Sequence, residues 1–166
     1  MTNAFNILFL CTGNSARSIL AEALATTLSH GRLIAYSAGS KPTGYVHPIA
    51  LQIAKEIGYP ATLLRSKSWD EYGREDSPKM NFIITVCDAA AGEECPYWVG
   101  HPATAHWGFP DPASVVGSDE EKWAAFRKVE IGLRNRIELL LDLPLDKLDH
   151  LQIRDELHSI HHQFKD

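Results

Sequence analysis

Cysteine is scarce in this chain. Its 166 residues include three, Cys11, Cys87 and Cys95. So small and odd a number excludes the disulfide scaffold of a small secreted protein. Catalysis, redox cycling, metal binding and incidental placement stay open. Long apolar runs are also missing: no window approaches the ~18 uninterrupted apolar residues that span a membrane. The N-terminal MTNAFNILFL lacks a basic leader and a small-residue cleavage site. No secretion signal is read there, and a cytoplasmic protein is expected. Basic residues are outnumbered, 16 against 21 acidic, for a net charge of -5. That balance argues against general affinity for nucleic acid or an anionic membrane, so an anionic ligand has to be held by local groups. Repeats, low-complexity tracts and linkers are absent too, and one domain over residues 1–166 is expected.

What is present alternates between two periods. Asn6–Cys11 (NILFLC), Leu33–Ser37 (LIAYS) and Phe82–Cys87 (FIITVC) are short apolar runs of the kind made by buried strands. Gly39 is expected to stop the second, and Thr104–Trp107 is a short fourth candidate. Leucines at 20, 24 and 28 form a helical stripe within Ser18–Leu28. Pro48–Ile57 predicts a helix ending at Gly58. Ser118 and Glu121 are spaced as a capping box. They open a helix with Trp123, Phe126, Leu133, Ile137 and Leu140 on one face. Pro144 predicts a break, with more helix after Leu145. This alternation predicts an α/β fold, a parallel sheet of about four strands flanked by helices on both faces. Ligands of such folds sit beyond the carboxyl ends of the strands. Cys11 and Cys87 both fall there.

The stretch from Phe9 to Leu24, FLCTGNSARSILAEAL, carries the chemistry. A turn from strand into helix aims several backbone N–H groups at one spot, and the helix dipole adds partial positive charge. Residues Thr12, Gly13, Asn14, Ser15, Ala16, Arg17 and Ser18 would line this oxyanion cradle. Gly13 permits a positive φ and Asn14 tolerates the left-handed region. Arg17, in the first helical turn, can fork onto two oxygens of a tetrahedral oxyanion. The loop is not a Walker A motif, because no Gly-Lys-Ser/Thr follows. Cys11 sits on the rim. The amides, Arg17 and the Ser18 hydroxyl are expected to lower its pKa from the ~8.5 of a free thiol. The constellation reads as a nucleophile built into an oxyanion site.

Elsewhere the residues say less. Asp111 stands between two prolines in HWGFPDPA. A stiff loop carboxylate could protonate a leaving oxygen, yet Pro-Asp-Pro is equally an ordinary turn. His158, His161 and His162 lack cysteine or carboxylate partners nearby and read as a polar helix face, so no metal site is expected. The tryptophans read as packing residues.

CTGNSARS resembles the phosphate-binding loop of the low-molecular-weight protein tyrosine phosphatase superfamily, and more closely the arsenate reductases built on that fold. SAGS at Ser37–Ser40, VHP at Val46–Pro48, ITVCD around Thr85 and AHWGFPDPA at Ala105–Ala113 extend the resemblance over most of the chain. It implies a phosphatase-like fold with the phosphate-binding loop after the first strand. It implies that Cys11 attacks arsenate and that Asp111 protonates the leaving oxygen. Cys87 then displaces arsenite as a Cys11–Cys87 disulfide, and Cys95 resolves it to Cys87–Cys95. No bound cofactor is implied. An external thiol, from thioredoxin or glutaredoxin with glutathione, restores the enzyme. A monomer is expected, with phosphate and sulfate as competing anions. A helix through residues 89–94 would keep Cys87 and Cys95 ~12 Å apart along its axis, so it would have to unwind for them to pair. Phosphatase relatives carry a second cysteine where this chain has Ala16 and a proline where it has Ile19. Both departures favour reductase over a tyrosine phosphatase using Cys11, Arg17 and Asp111 alone. A thiol sensor or three-cysteine zinc site is the non-enzymatic rival, and no fourth ligand stands at the usual spacing.

Overall fold

The computed structural model describes residues 4–87 and 102–164. Strand β1 (Phe5–Cys11) lies between β2 (Leu33–Gly39) and β3 (Phe82–Thr85), and β4 (Ala103–His106) flanks β3. All three pairings are parallel. A strand with neighbours on both sides and cover on both faces exposes nothing, which is why β1 is continuously apolar. Ile7, Leu8, Phe9 and Leu10 are fully buried.

Alternate side chains of β1 divide the core. Ile7 and Phe9 join the larger cluster, with Ile19, Leu20 and Leu24 of α1 (Arg17–Ser29) and Ile53 of α2 (Pro48–Glu56). Phe126, Leu133 and Ile137 of α3 (Asp119–Leu141) and Leu157 of α4 (His150–His162) complete it. Leu8 and Leu10 face the other way, toward Ala38, Met80 and Ile83. There Tyr36, Trp69 and Tyr72 pack against them, the last two from a short 3-10 turn.

The helix ends follow their sequence signals. His47 caps α2 by accepting from the Ile49 N–H, with Pro48 at the first helical position. The Ser118–Glu121 capping box opens α3. An unforeseen one, Asp149 with Gln152, opens α4. Trp107, fully buried, donates its indole N–H to the Leu157 carbonyl at 2.9 Å and ties α4 to the end of β4.

Three details differ from expectation. Strand β2 does not stop before Gly39 but includes it, paired with Cys11. A Cβ at Gly39 would lie 2.4 Å from the Thr12 carbonyl oxygen, so this glycine serves a close backbone approach rather than a strand end. Strand β3 ends at Thr85. The Val86 N–H still donates to Leu10 O, but the chain then leaves the sheet and carries Cys87 toward Thr12. Trp123 is only half-buried, unlike the other four apolar residues named on the α3 face.

Candidate active site

The loop from Cys11 to Ser18 joins β1 to α1 at the carboxyl edge of the sheet. Three of its carbonyls are engaged by the flanking segments. Thr12 O accepts from the Lys41 N–H, Gly13 O from Thr43 N–H and the Ser66 hydroxyl, and Ser15 O from His47 N–H. The amides of Asn14, Ser15 and Ala16 donate to no backbone carbonyl among the described residues. Ala16, the residue before α1, supplies no capping side chain. The helix N-terminus therefore keeps its donors for a ligand.

The positive φ that the loop requires falls on Asn14, at 47°, and not on Gly13. Gly13 is small for another reason: a Cβ there would lie 3.2 Å from Thr43 Cγ2. Asn14 is held left-handed by its own side chain. Its Nδ2 donates to Ser18 Oγ at 2.7 Å and to Ser37 Oγ at 3.0 Å, and its Oδ1 accepts from the Lys67 N–H at 3.0 Å.

Arg17 spans the gap to the loop after β4. Its Nη1 donates to Phe109 O at 2.9 Å, and its Nη2 lies 3.9 Å from Asp111 Oδ1. Its Nε is buried and has no hydrogen-bond partner among the described residues. The Nε–Nη2 edge is thus the fork left for two oxygens of an anion. Asp111 serves both readings at once. It caps its own turn by accepting from the Ala113 N–H at 3.0 Å, and it faces Arg17 with its side chain 43% exposed.

Cys11 is buried at the end of β1, and Cys87 is buried beside it. The two thiols are close enough for Cys87 to act on Cys11. Thr12 donates its N–H to Cys87 Sγ at 3.2 Å, and Thr12 Oγ1 lies 3.6 Å from the same sulfur. The structure therefore brings together Cys11, the loop residues 12–18, Asp111 and Cys87. Cys95 and the expected helix through 89–94 lie outside the described residues. Among the described residues, no three His, Cys, Asp or Glu side chains gather to hold a metal, and no helix is long and apolar enough to cross a membrane.

A family model for low molecular weight phosphotyrosine protein phosphatase matches residues 6–152. The chain belongs to this family. The arsenate reductase of Halalkalibacterium halodurans is 42% identical over 130 residues, covering 77% of this chain and 90% of the relative. A solved arsenate reductase in a phosphate-binding state has a TM-score of 0.62 at 26% identity, over 82% of this chain and 96% of that one. A thioredoxin-dependent arsenate reductase from Corynebacterium glutamicum shares the fold, with a TM-score of 0.56 at 23% identity, over 83% of this chain and 64% of that one.

In this phosphatase-family loop the Cys11 thiol is not held low, contrary to expectation. The hydrogen bond to Cys87 and burial push it well above the ordinary thiol range, against the pull of the Arg17 charge and the Gly13 N–H. Cys87 meanwhile accepts the Thr12 N–H. Removing Cys87 removes the largest upward cause. In Cys87→Ala the alkylation rate of Cys11, followed by peptide mass spectrometry, should reach its midpoint at lower pH than in the wild type. An unmoved midpoint would show that the thiol contact does not govern Cys11.

Sequence reasoning missed what supports the family loop from behind. Glu22 is 7% exposed, one turn beyond Ser18. It accepts from the Ser37 hydroxyl at 2.6 Å and from the Tyr59 hydroxyl at 2.9 Å. Lys67 Nζ, also buried, lies 3.8 Å away, and burial lowers its pKa while Glu22 opposes the shift. Ser37 passes the restraint to Asn14. The available signal was one acidic residue inside the apolar run SILAEALA. Glu22→Gln leaves the Lys67 ammonium without a buried counter-charge. It should destabilise the fold by about 3–5 kcal/mol, which for a chain of this size is a drop of roughly 6–20 °C in Tm. Calorimetry tests this, and Glu22→Gln with Lys67→Met should recover part of the loss.

Proposed function

We propose that this chain reduces arsenate to arsenite with its own cysteines as the electron source. The observation that carries this reading is the second thiol. Dephosphorylation needs Cys11, Arg17 and Asp111 alone. Cys87, pressed against Cys11 and furnished with the Thr12 N–H, is what a reduction adds.

The amides of the loop and the Nε–Nη2 edge of Arg17 hold three oxygens of dihydrogen arsenate. Cys11 Sγ attacks arsenic. Its proton and one hydroxyl of the anion leave as water, with Asp111 placed to give and take the proton. This first step forms a sulfur–arsenic bond, and arsenic stays pentavalent. Cys87 then attacks Cys11 Sγ. A sulfur–sulfur bond forms, and the electron pair of the sulfur–arsenic bond goes to arsenic, which departs as trivalent arsenite with the Cys87 proton. The two thiols have supplied two electrons. In this reading Cys95 takes Cys87 from the first disulfide, and the resulting Cys87–Cys95 pair is reduced by an external thiol of the thioredoxin or glutaredoxin kind. Phosphate and sulfate, having the same shape and charge, compete for the loop.

The test is a coupled assay of arsenate, thioredoxin, thioredoxin reductase and NADPH, with glutaredoxin and glutathione in a parallel series. NADPH consumption that depends on arsenate and vanishes in Cys11→Ser is expected. Turnover of aryl phosphate with no NADPH consumption in either series would replace this reading with a phosphatase.

A further inference from the structure

A cavity opens beside the Asp111 loop, and none of residues 11–18 lines it. It encloses about 900 Å³ between the loop after β4, helix α3 and helix α4. Helix α4 lies mostly beyond the family-matched residues. Phe109, Val115, Val129, Ile131 and Phe164 give the cavity apolar walls. Among the described residues its Lys and Arg groups are Arg136 and Lys128, and its one acidic lining residue is Asp111.

Arg136 is the unusual member. It is 5% exposed, and among the described residues it pairs with no carboxylate. Its Nη1 donates to Gly132 O at 2.9 Å and its Nε to His161 Nδ1 at 3.1 Å. The guanidinium is stacked between the rings of Phe109 and Phe164, 4.7 Å and 4.8 Å from their centroids. Stacking of this kind is worth about 1–2 kcal/mol, well short of what burying a charge costs. Burial accordingly lowers the Arg136 pKa with no opposing partner. Nη2 makes no hydrogen bond among the described residues. A nearly buried cation with no carboxylate partner among the described residues, on the wall of an apolar cavity, has an Nη2 left to meet an anion.

We propose that this cavity is a binding site for an organic anion, its carboxylate on Arg136 Nη2 and its apolar body along Phe109, Val129 and Ile131. Inorganic oxyanions are excluded as the intended ligand by fit, because the cavity has the volume of a drug-sized organic molecule and apolar walls. The His158, His161 and His162 group, read from sequence as a polar helix face, lines this cavity. His161 is there to orient Arg136.

The probe is para-phenylbenzoate, with the neutral para-phenylbenzamide as control, titrated into the full-length protein by heteronuclear NMR. Saturable shifts at Phe109, Gly132 and the Arg136 Nε–H are expected, with the carboxylate binding at least tenfold more tightly than the amide. Arg136→Gln should lose that preference. Because the amide comparison uses the native protein, it stands even if the variant misfolds. Equal affinity for acid and amide would overturn the proposal, as would shifts confined to residues 12–18 or no saturation at millimolar probe. Phosphate should leave the probe affinity unchanged, and competition by phosphate would also overturn it. None of these outcomes bears on arsenate reduction, which the NADPH assay reads separately.

Discussion

Cys87→Ser, mixed with arsenate and reduced thioredoxin, is expected to release no arsenite in a single turnover. Cys11 can still attack arsenic. What is lost is the thiol that displaces arsenic from Cys11, since no other described sulfur lies beside Cys11 and a serine hydroxyl cannot form the disulfide. Cys95→Ser should behave differently. Attack and displacement both proceed, so arsenite should appear at about one equivalent per molecule, and the protein should then stall as a Cys11–Cys87 disulfide. Rapid-quench arsenic speciation with peptide mapping of the disulfide reads both variants. Multiple turnovers by Cys95→Ser would show that thioredoxin reaches the buried Cys11–Cys87 bond directly, and the third cysteine would leave the mechanism.

Arg17→Ala should abolish the response of the protein to phosphate. A ligand that binds only the folded state at a hundred times its Kd stabilises by about 2.7 kcal/mol. In a chain of this size that is a rise of roughly 5–10 °C in Tm. The Nε–Nη2 edge is the charged part of the cradle, and without it the loop amides hold a dianion in a half-buried site by dipoles alone. The wild type should show the phosphate-dependent rise in a thermal scan, and Arg17→Ala should show little of it. The same variant should lose about a hundred- to a thousand-fold in kcat/KM for arsenate, the usual range for removing one oxyanion donor. Arg17→Lys, which keeps the charge and loses the fork, should recover only part of either effect. A full phosphate response in Arg17→Ala would move the anion site away from this loop.

Much of this was legible along the chain, and the reason is locality. A strand buried on both faces needs an unbroken apolar run, so NILFLC and FIITVC announced β1 and β3. A capping box is a contact between residues three apart, so Ser118 and Glu121 placed the start of α3. The cradle is also local. Its amides, Cys11 and Arg17 all belong to one strand–turn–helix, so the sequence alone puts them at one junction.

What depended on distant contacts was not legible. The Gly13 reading failed because the loop's strain is set by Asn14, and Asn14 is held by Ser37 and Lys67 from other segments. The Gly39 reading failed because the glycine answers the Thr12 carbonyl in the loop that follows the neighbouring strand. The elevated Cys11 pKa needs Cys87, 76 positions away in sequence and in contact in space. Glu22 and Lys67 meet as a buried pair only after β2 and the segment following α2 close over α1.

The sequence by itself determined the order of strands and helices along the chain and the strand–turn–helix junction that carries Cys11 and Arg17. Each of these rests on backbone geometry that neighbouring residues impose on one another. Only the tertiary structure decided that Cys87 bears on Cys11, that Arg17 faces Asp111, and that Arg136 lies buried with no carboxylate partner among the described residues. Those are electrostatic facts. They depend on distance through space and on exclusion of water, and neither quantity exists until the chain has folded.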